Sequence, residues 1–517
     1  MKDTNKTKTG GSGSDKTGKY TANTDRAGAR GKTASGGVRA PGHAEQLKPG
    51  DRIVATIKAI GINGEGVGYF RRKAVFVPGA LPGEVVKADV DRVERSYVTA
   101  RLKEIEKRSP HRQEPPCPVY ETCGGCQLQH MTYEEQLKAK EELVREAFER
   151  YAGIADLPMR PIIGTEEPWG YRNKAQLQVG YADKKPAGRQ NARDGRIGTN
   201  DGESRLITGL YAPGSRRLVD LEGCPIHHPK LNRIASRVRA IAEQLGTPPY
   251  DERTRQGVLR TIVIRAAFRT EDVQLTLVIA QDRLPDRAAW VDAVRRDIPE
   301  VTGFAVNINR SSSPLVFGER TIHLWGKDRM DERLGHLKFS LSPRAFFQLN
   351  PVQTVRLYNA VLEAAALNGI ERVVDAYCGT GTIALWLAPH AKEVRGVEIV
   401  REAVEDARRN AALSGIANAD FYAGAAEDRL LEWVRQGYRP DVVVADPPRT
   451  GCGEKLLQAI REARPPRFVY VSCNPSTLAK DCRALLKAGY RIEWVQPVDM
   501  FPQTVHVEAV ILMVHKD

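Results

Sequence analysis

The sequence predicts a multidomain chain. It has an OB-like β-barrel near the N-terminus, a central α/β domain, and a C-terminal doubly wound, Rossmann-like α/β domain. Three observations predict it. The chain has 517 residues, too many for one core, and 41% of them are hydrophobic. Residues 47–106 carry short β-branched runs broken by Gly and Pro. From about residue 336 onward, apolar strand-like runs alternate with amphipathic stretches, as in a parallel sheet covered by helices.

Residues 1–46 are rich in Gly, Ser, Thr, Lys and Arg and poor in apolar residues. Such a segment cannot offset the entropy of folding, so a disordered basic tail is expected. The formal net charge of +14 favours a polyanionic partner. No apolar run reaches the length of about 18 residues that a transmembrane helix needs. No apolar stretch follows the start as in a signal peptide. Eight cysteines in so long a chain do not make a disulfide scaffold, and a reducing cytoplasm is expected.

Within 47–106, Arg52 to Ile57 reads as a strand, and GINGEGVGYF supplies turn glycines. AVFVPGALPGEVVKADV reads as two strands around a Pro-Gly turn, and YVTARLKEI closes the set. The segment resembles a TRAM domain, a small RNA-binding barrel of the OB-like class. Arg71, Arg72, Lys73, Arg92, Arg95, Arg101 and Lys103 are its candidate phosphate contacts.

The central domain is expected over 107–335. It opens on CPVYETCGGCQLQH, where Cys117, Cys123 and Cys126 are spaced C-x5-C-x2-C; Cys224 lies far downstream in EGCPIHHP. Four thiolates suit an iron–sulfur cluster or a tetrahedral zinc, and spacing alone does not choose. Residues 132–152 form a charged amphipathic helix expected to pack on the catalytic domain. Residues 183–206 read as a polar insertion. Strands follow at 205–211, 216–221, 258–267 and 273–280, with a helix near 228–245.

In the C-terminal domain, 336–517, strand ERVVDAY leads into CGTGT, and strand EVRGVEI ends at Glu398. The glycines let the backbone approach a ligand, and an acid at the next strand end suits ribose hydroxyls. The third glycine of a dinucleotide fingerprint is missing, so a single-nucleoside cofactor such as S-adenosylmethionine fits better. Strand DVVVAD ends at Asp446 in DPPR, a motif of a type that can hold a target base. Strand FVYVS ends at Cys473, at the carboxyl edge of the sheet where ligands bind. Ser476 is the expected N-cap of the helix that follows, whose N-terminus favours a thiolate. Taken alone, Cys473 would be a buried core cysteine and Glu508 a solvent-facing strand residue.

Together, DAYCGTGT, DPPRTG, YVSCNPSTLAKD and DMFPQTVHVE, in that order, are similar to the RNA uracil-5-methyltransferase family. SPRAFFQLN and the cysteine set resemble its 23S ribosomal RNA branch, which carries a TRAM domain and a [4Fe-4S] cluster. The resemblance spans about 47–517 and leaves the tail outside. It implies that Cys117, Cys123, Cys126 and Cys224 hold iron and sulfur rather than zinc. It implies that Cys473 adds to C6 of uracil and that Glu508 removes the C5 proton. By the same resemblance, Gln348, Tyr377, Glu398 and Asp446 bind S-adenosylmethionine, and Phe346 and Asp446 hold the base. The base must leave its stack to reach the thiol. A monomer acting on 23S ribosomal RNA in the cytoplasm, away from membranes, is expected.

Two departures stand out. The gap between Cys126 and Cys224 is longer than usual, and Ala425 stands where the family often has a polar residue near adenine. Two alternatives are a transfer RNA uridine-54 methyltransferase and a non-catalytic RNA-binding iron–sulfur protein. The barrel and cysteines weigh against the first, and intact Cys473 and Glu508 against the second.

Overall fold

The computed structural model describes residues 47–182, 205–313 and 315–516. The expected basic tail, 1–46, and positions 183–204 of the expected insertion lie outside the described residues.

The N-terminal strands are β1 (Arg52–Ile60), β2 (Gly66–Phe70), β3 (Lys73–Val77), β4 (Val85–Val93) and β5 (Tyr97–Lys107), closed as a barrel in the order β1-β2-β3-β5-β4. Alternation drives it: Ile53, Ala55 and Ile57 point inward while Arg52, Val54 and Thr56 face water. The glycine-rich stretch supplies the expected turn, with Gly64 at φ +88° and its amide donating to the Gly61 carbonyl at 2.9 Å, and then β2. A Cβ at Gly66 or Gly68 would stand 2.6 Å from the carbonyl oxygen of Ala80 or Thr56. These glycines therefore admit close strand approach.

Helix α1 (Tyr133–Ala152) buries Gln136, Lys140, Val144, Ala147 and Phe148 along one stripe and ends at Gly153, φ +74°. The central sheet contains β6 (Lys174–Tyr181), β7 (Leu206–Tyr211), β8 (Leu218–Asp220), β9 (Leu259–Ala266), β10 (Val273–Ile279), β11 (Gly303–Ile308) and β12 (Arg320–Gly326). Its order is β12-β11-β10-β9-β6-β7-β8. Helices α2 (Pro229–Gln244) and α3 (Arg287–Asp297) join one apolar core with Ala175, Leu177, Ile262, Ile264, Leu275 and Leu277. On β6 the alternate residues, Lys174, Gln176 and Gln178, are half-buried on the other face.

A hairpin of β13 (Met330–Leu334) and β14 (Leu337–Leu341) follows. The expected domain boundary, 335/336, falls on the hairpin turn at Gly335. Both strands send side chains into the catalytic core: Met330, Leu334, Leu337, Phe339 and Leu341.

The catalytic domain alternates α4 (Pro351–Ala365), β15 (Arg372–Asp375), α5 (Thr382–Leu387), β16 (Glu393–Glu398), α6 (Arg401–Leu413), β17 (Ala419–Ala423) and α7 (Ala426–Arg435). It continues with β18 (Val442–Ala445), α8 (Gly453–Ala463), β19 (Arg467–Ser472), α9 (Pro475–Leu486), β20 (Tyr490–Val498) and β21 (Glu508–His515). Sheet order is β17-β16-β15-β18-β19-β21-β20, with β21 antiparallel to both neighbours. The chain runs outward through β16 and β17, then returns to place β18 beside β15. That reversal opens a crevice at the carboxyl ends of β15 and β18. Helix α1 packs on α9. No helix among the described residues is long and apolar enough to cross a membrane.

Candidate active site

The crevice is built from strand ends. Asp375 closes β15 fully buried; its carboxylate accepts from the Ala384 amide at 3.0 Å and the Tyr377 amide at 3.4 Å, drawing the glycine loop around it. Burial, then Asp446 and Glu398, push its carboxyl up to about 7. Gly379 and Gly381 adopt φ +52° and +87°, conformations an L side chain resists. Glu398 ends β16 and accepts from the Gly379 amide at 3.2 Å and the Val400 amide at 2.9 Å. Tyr377 donates from its hydroxyl to the Cys452 carbonyl at 3.3 Å.

A second loop, 342–349, faces this one. The Thr380 hydroxyl donates to the Phe346 carbonyl at 3.3 Å, and Asn173 Nδ2 donates to the Gln348 carbonyl at 3.0 Å. Gln348 is buried, whereas Phe346 is 64% exposed, unlike an aromatic in a core. Beneath the loop, Asn350 caps α4 by accepting from the Gln353 amide and donates from Nδ2 to the Met500 carbonyl.

Cys473 and Glu508 meet across β19 and β21. The ladder ends at Ser472 opposite Ala509, so one step further sets Cys473 opposite Glu508. Opposed residues of an antiparallel pair project from the same face. Asp446 follows the last residue of the neighbouring strand β18. Glu508 is buried rather than solvent-facing. Burial and then Asp446 push its carboxyl up to about 8, against the pull of Arg449. Burial likewise raises Asp446 to about 7.

Two expectations are corrected here. The cap of α9 is Asn474, which accepts from the Ser476 amide at 3.1 Å; Ser476 lies inside the helix behind Pro475. And the thiol of Cys473 is not favoured as a thiolate. Burial first, then Glu508 and Asp446, push it up to about 11 despite the helix N-terminus.

The counterweight is Arg449, in the DPPR segment. Its positive charge acts on the Cys473 thiol and pulls its pKa down. Its carbonyl accepts from Asn474 Nδ2 at 3.1 Å and the Thr477 hydroxyl at 3.3 Å. Arg449 Nη2 also lies 3.2 Å from His506 Nε2. Burial and Arg449 push His506 down to about 4, so it stays neutral. Sequence reasoning gave neither residue a role. The signals were the place of Arg449 in DPPR and of His506 two residues before Glu508.

The segment 499–507 leads into Glu508 and is held by α1. Lys140 Nζ donates to Asp499 Oδ1 at 2.6 Å and to the Phe501 carbonyl at 3.2 Å, and Tyr133 donates to Asp499 Oδ2 at 2.9 Å. Gln136 and Gln503 bond reciprocally, side chain to side chain at 3.0 Å and Gln503 amide to Gln136 Oε1 at 3.0 Å. The Gln127 and Leu128 amides donate to the Gln503 carbonyl. The segment that follows Cys126 thus touches the strand entry bearing Glu508.

All four predicted ligand cysteines are free thiols, Cys117 buried and the others half-buried. Among the described residues, no three His, Cys, Asp or Glu are grouped to hold a single metal ion. Their chemistry nevertheless suits a larger thiolate-bound group. Burial chiefly, and then Cys224 and Cys123, push Cys126 up to about 12, so these thiols lie within one another's field. The Gly125 amide donates to Cys123 Sγ at 3.4 Å. Arg172 is paired through its backbone with Ile226 and His228, next to Cys224, and its buried Nε has no partner. An orphaned cationic donor whose charge acts on Cys123, Cys126 and Cys224 fits an anionic thiolate-ligated centre.

Of the expected phosphate contacts on the barrel, Arg101 pairs with Asp91 at 2.6 Å and Lys103 with Asp89 at 3.4 Å, so acids within the barrel offset both. Lys73 donates to the Glu94 carbonyl at 2.9 Å. Arg71 and Arg72 form the turn between β2 and β3, with φ +46° and +68°. Arg92 and Arg95 are exposed.

Residues 326–516 match the family model described as tRNA (Uracil-5-)-methyltransferase, and residues 46–103 match the TRAM domain. A relative from Bacillus cereus, described as an uncharacterized RNA methyltransferase, is 48% identical over 92% of this chain and 99% of its own length. The chain belongs to the RNA uracil-5-methyltransferase family. The enzyme is an S-adenosylmethionine-dependent methyltransferase with an N-terminal TRAM domain. A relative from Listeria monocytogenes, also described as an uncharacterized RNA methyltransferase, is 44% identical over 91% of this chain and 99% of its own length. Among solved structures, a tRNA (uracil-54, C5)-methyltransferase from Pyrococcus abyssi, in complex with S-adenosyl-L-homocysteine, superposes on the enzyme with TM-score 0.67. It is 26% identical, and the match covers 89% of this chain and 100% of that one.

Proposed function

We propose that the enzyme methylates C5 of a specific uridine in 23S ribosomal RNA through a covalent bond between the Cys473 sulfur and C6 of the base. The observation that carries this reading is the opposition of Cys473 and Glu508 across β19 and β21, with Arg449 on the thiol. C5 of uracil is a poor nucleophile. Proton loss from Cys473, favoured by Arg449, gives the thiolate that adds to C6 and moves an electron pair toward O4 as an enolate. S-adenosylmethionine, held by Gln348, Tyr377, Glu398 and Asp446, would supply the methyl group, which C5 takes as the methyl–sulfur bond breaks and S-adenosylhomocysteine is left. Glu508 as carboxylate then removes the C5 proton, the C5–C6 double bond returns, and the C6–S bond breaks to release Cys473.

Gln348, Tyr377, Glu398 and Asp446 are assigned to the cofactor. Phe346, exposed on its loop, is assigned to stack on the flipped base, with Asp446 beside it. Cys117, Cys123, Cys126 and Cys224 are assigned as ligands of a [4Fe-4S] cluster, a structural clasp between the 117–126 loop and the Cys224 loop. Eight cysteines with no disulfide among them suit a reducing cytoplasm.

The barrel and the four-cysteine set support ribosomal RNA as the substrate. The likeness to the Pyrococcus abyssi enzyme favours a second reading, a transfer RNA uridine. Mass-spectrometric mapping of 5-methyluridine in a deletion strain separates them. Loss of one 23S site, restored by the wild-type gene, is expected; loss confined to transfer RNA would replace the first reading with the second.

A further inference from the structure

Among the described residues, Lys174 has no acidic partner. It opens β6 and stands directly opposite Arg265 of β9, so both side chains leave the sheet on the face away from α2 and α3. Arg265 is buried, and its guanidinium donates to the Ala345 carbonyl at 2.6 Å and the Ser342 carbonyl at 3.5 Å. Arg265 thereby fastens the loop that presents Phe346. Asn173, next to Lys174, fastens the far side of the same loop through its amide to the Leu349 carbonyl at 2.9 Å and its side chain to the Gln348 carbonyl. Lys174 sits between these two clamps, half-buried. Among the described residues it makes no side-chain hydrogen bond or ion pair. The charge that acts on it is Arg265, of like sign, and burial with that repulsion pushes its ammonium down to about 7. An ammonium withdrawn from water beside a second cation is unfavourable unless an anion arrives.

The neighbours narrow the anion. Exposed Phe346 offers an aromatic face on the clamped loop, and Gln176 and Gln178 continue from Lys174 at alternate positions of β6, half-buried on the same face. A cation and a polar track on one face of β6, with a stacking ring on the loop clamped by the neighbours of that cation, match the backbone and bases of a single strand. We propose that Lys174 binds a backbone phosphate of the RNA strand next to the target nucleotide, seating that nucleotide beside Phe346. This inference rests on the RNA-methylating function proposed above and names a phosphate contact within it.

The test is RNA affinity against salt, measured with S-adenosylhomocysteine present. Lys174→Gln keeps most of the side-chain volume and removes the charge. It is expected to weaken RNA binding several-fold and to lower the slope of log affinity against log salt by about 0.7, one single-strand phosphate contact. Lys174→Arg is expected to restore the slope. A second measurement uses the RNA: a neutral methylphosphonate at the flanking phosphate should weaken binding to wild type and leave Lys174→Gln unaffected. An unchanged slope, or equal methylphosphonate losses in both proteins, overturns the proposal. A loss confined to S-adenosylhomocysteine affinity overturns it too, by assigning Lys174 to the cofactor carboxylate. Failure of the wild type to methylate any RNA would instead overturn the proposed function.

Discussion

Replacing Lys140 with Met tests how the segment before Glu508 is held. The Lys140–Asp499 pair is wholly buried on both sides, with Nζ 2.6 Å from Oδ1. Burial lowers the Lys140 pKa more than Asp499 raises it, so the pair is not a free gain in stability. Breaking it is another matter. Lys140→Met leaves the Asp499 carboxylate buried with the Tyr133 hydroxyl and no cation. Loss of one partner of a buried pair costs about 3–5 kcal/mol. At about 1.4 kcal/mol per tenfold, amides of 499–507 should exchange with solvent two to nearly four orders of magnitude faster. Hydrogen exchange read by mass spectrometry reports this local opening without requiring the chain to unfold in one step. The double variant Lys140→Met/Asp499→Asn removes both charges and should recover most of the protection. A single variant that exchanges within threefold of wild type, or a double variant no better than the single, would refute this reasoning.

Other outcomes follow from the same geometry. Glu508 must be a carboxylate to take a proton and its carboxyl is pushed up to about 8, so kcat/KM should rise through that pH. A flat profile from pH 6 to 9 would contradict it. The raised carboxyls of Asp375, Asp446 and Glu508 favour their protonated forms in the folded state. The stability they contribute is full below their unfolded pKa values, about 4, and is lost progressively as pH rises from there to about 8, through the folded values. The thermal midpoint of the ligand-free protein should fall over that range, less so in Glu508→Gln. Anaerobically purified protein should be brown with about four irons per chain, and colourless protein with one zinc would contradict the cluster. Arg92→Glu with Arg95→Glu should raise the RNA KM and flatten its salt dependence, whereas Arg101→Glu, already paired with Asp91, should do less. Point changes serve here because Ile60 and Leu81 of the barrel share a core with Leu128, Met131 and Val505, so deleting the barrel would disturb the Glu508 segment.

The parts of the site legible in the sequence are those fixed by local pattern. A strand followed by a helix puts its last residue at the sheet's carboxyl edge, so Asp375, Glu398, Asp446 and Cys473 were placed from periodicity alone. What pairs across long separations left no local mark. Lys140 and Asp499 lie 359 positions apart, and a lysine in a charged helix reads as solvated. The thiol state of Cys473 was misread because the helix N-terminus is local, while the burial and carboxylates that outweigh it come from β18 and β21. The strand at Gly66–Phe70 was hidden because Gly66 and Gly68, which serve close packing, follow directly on Gly61 and Gly64, which do form the expected turn. Arg101 and Lys103 looked like free cations because their acids sit on the adjacent strand β4.

The covalent mechanism is tested most directly by separating Cys473 from Glu508 on a denaturing gel. Cys473→Ala removes the group that makes C5 nucleophilic, so neither methyl transfer nor a protein–RNA adduct should appear. Glu508→Gln leaves addition possible but keeps the C5 proton. It should accumulate a denaturant-resistant adduct in the presence of S-adenosylmethionine, as should wild type with 5-fluorouridine RNA, where fluorine replaces the departing proton. Adducts in those two reactions, and none with Cys473→Ala, are the predicted result. Full turnover by Cys473→Ala, or no trapping of wild type by 5-fluorouridine RNA, would contradict it.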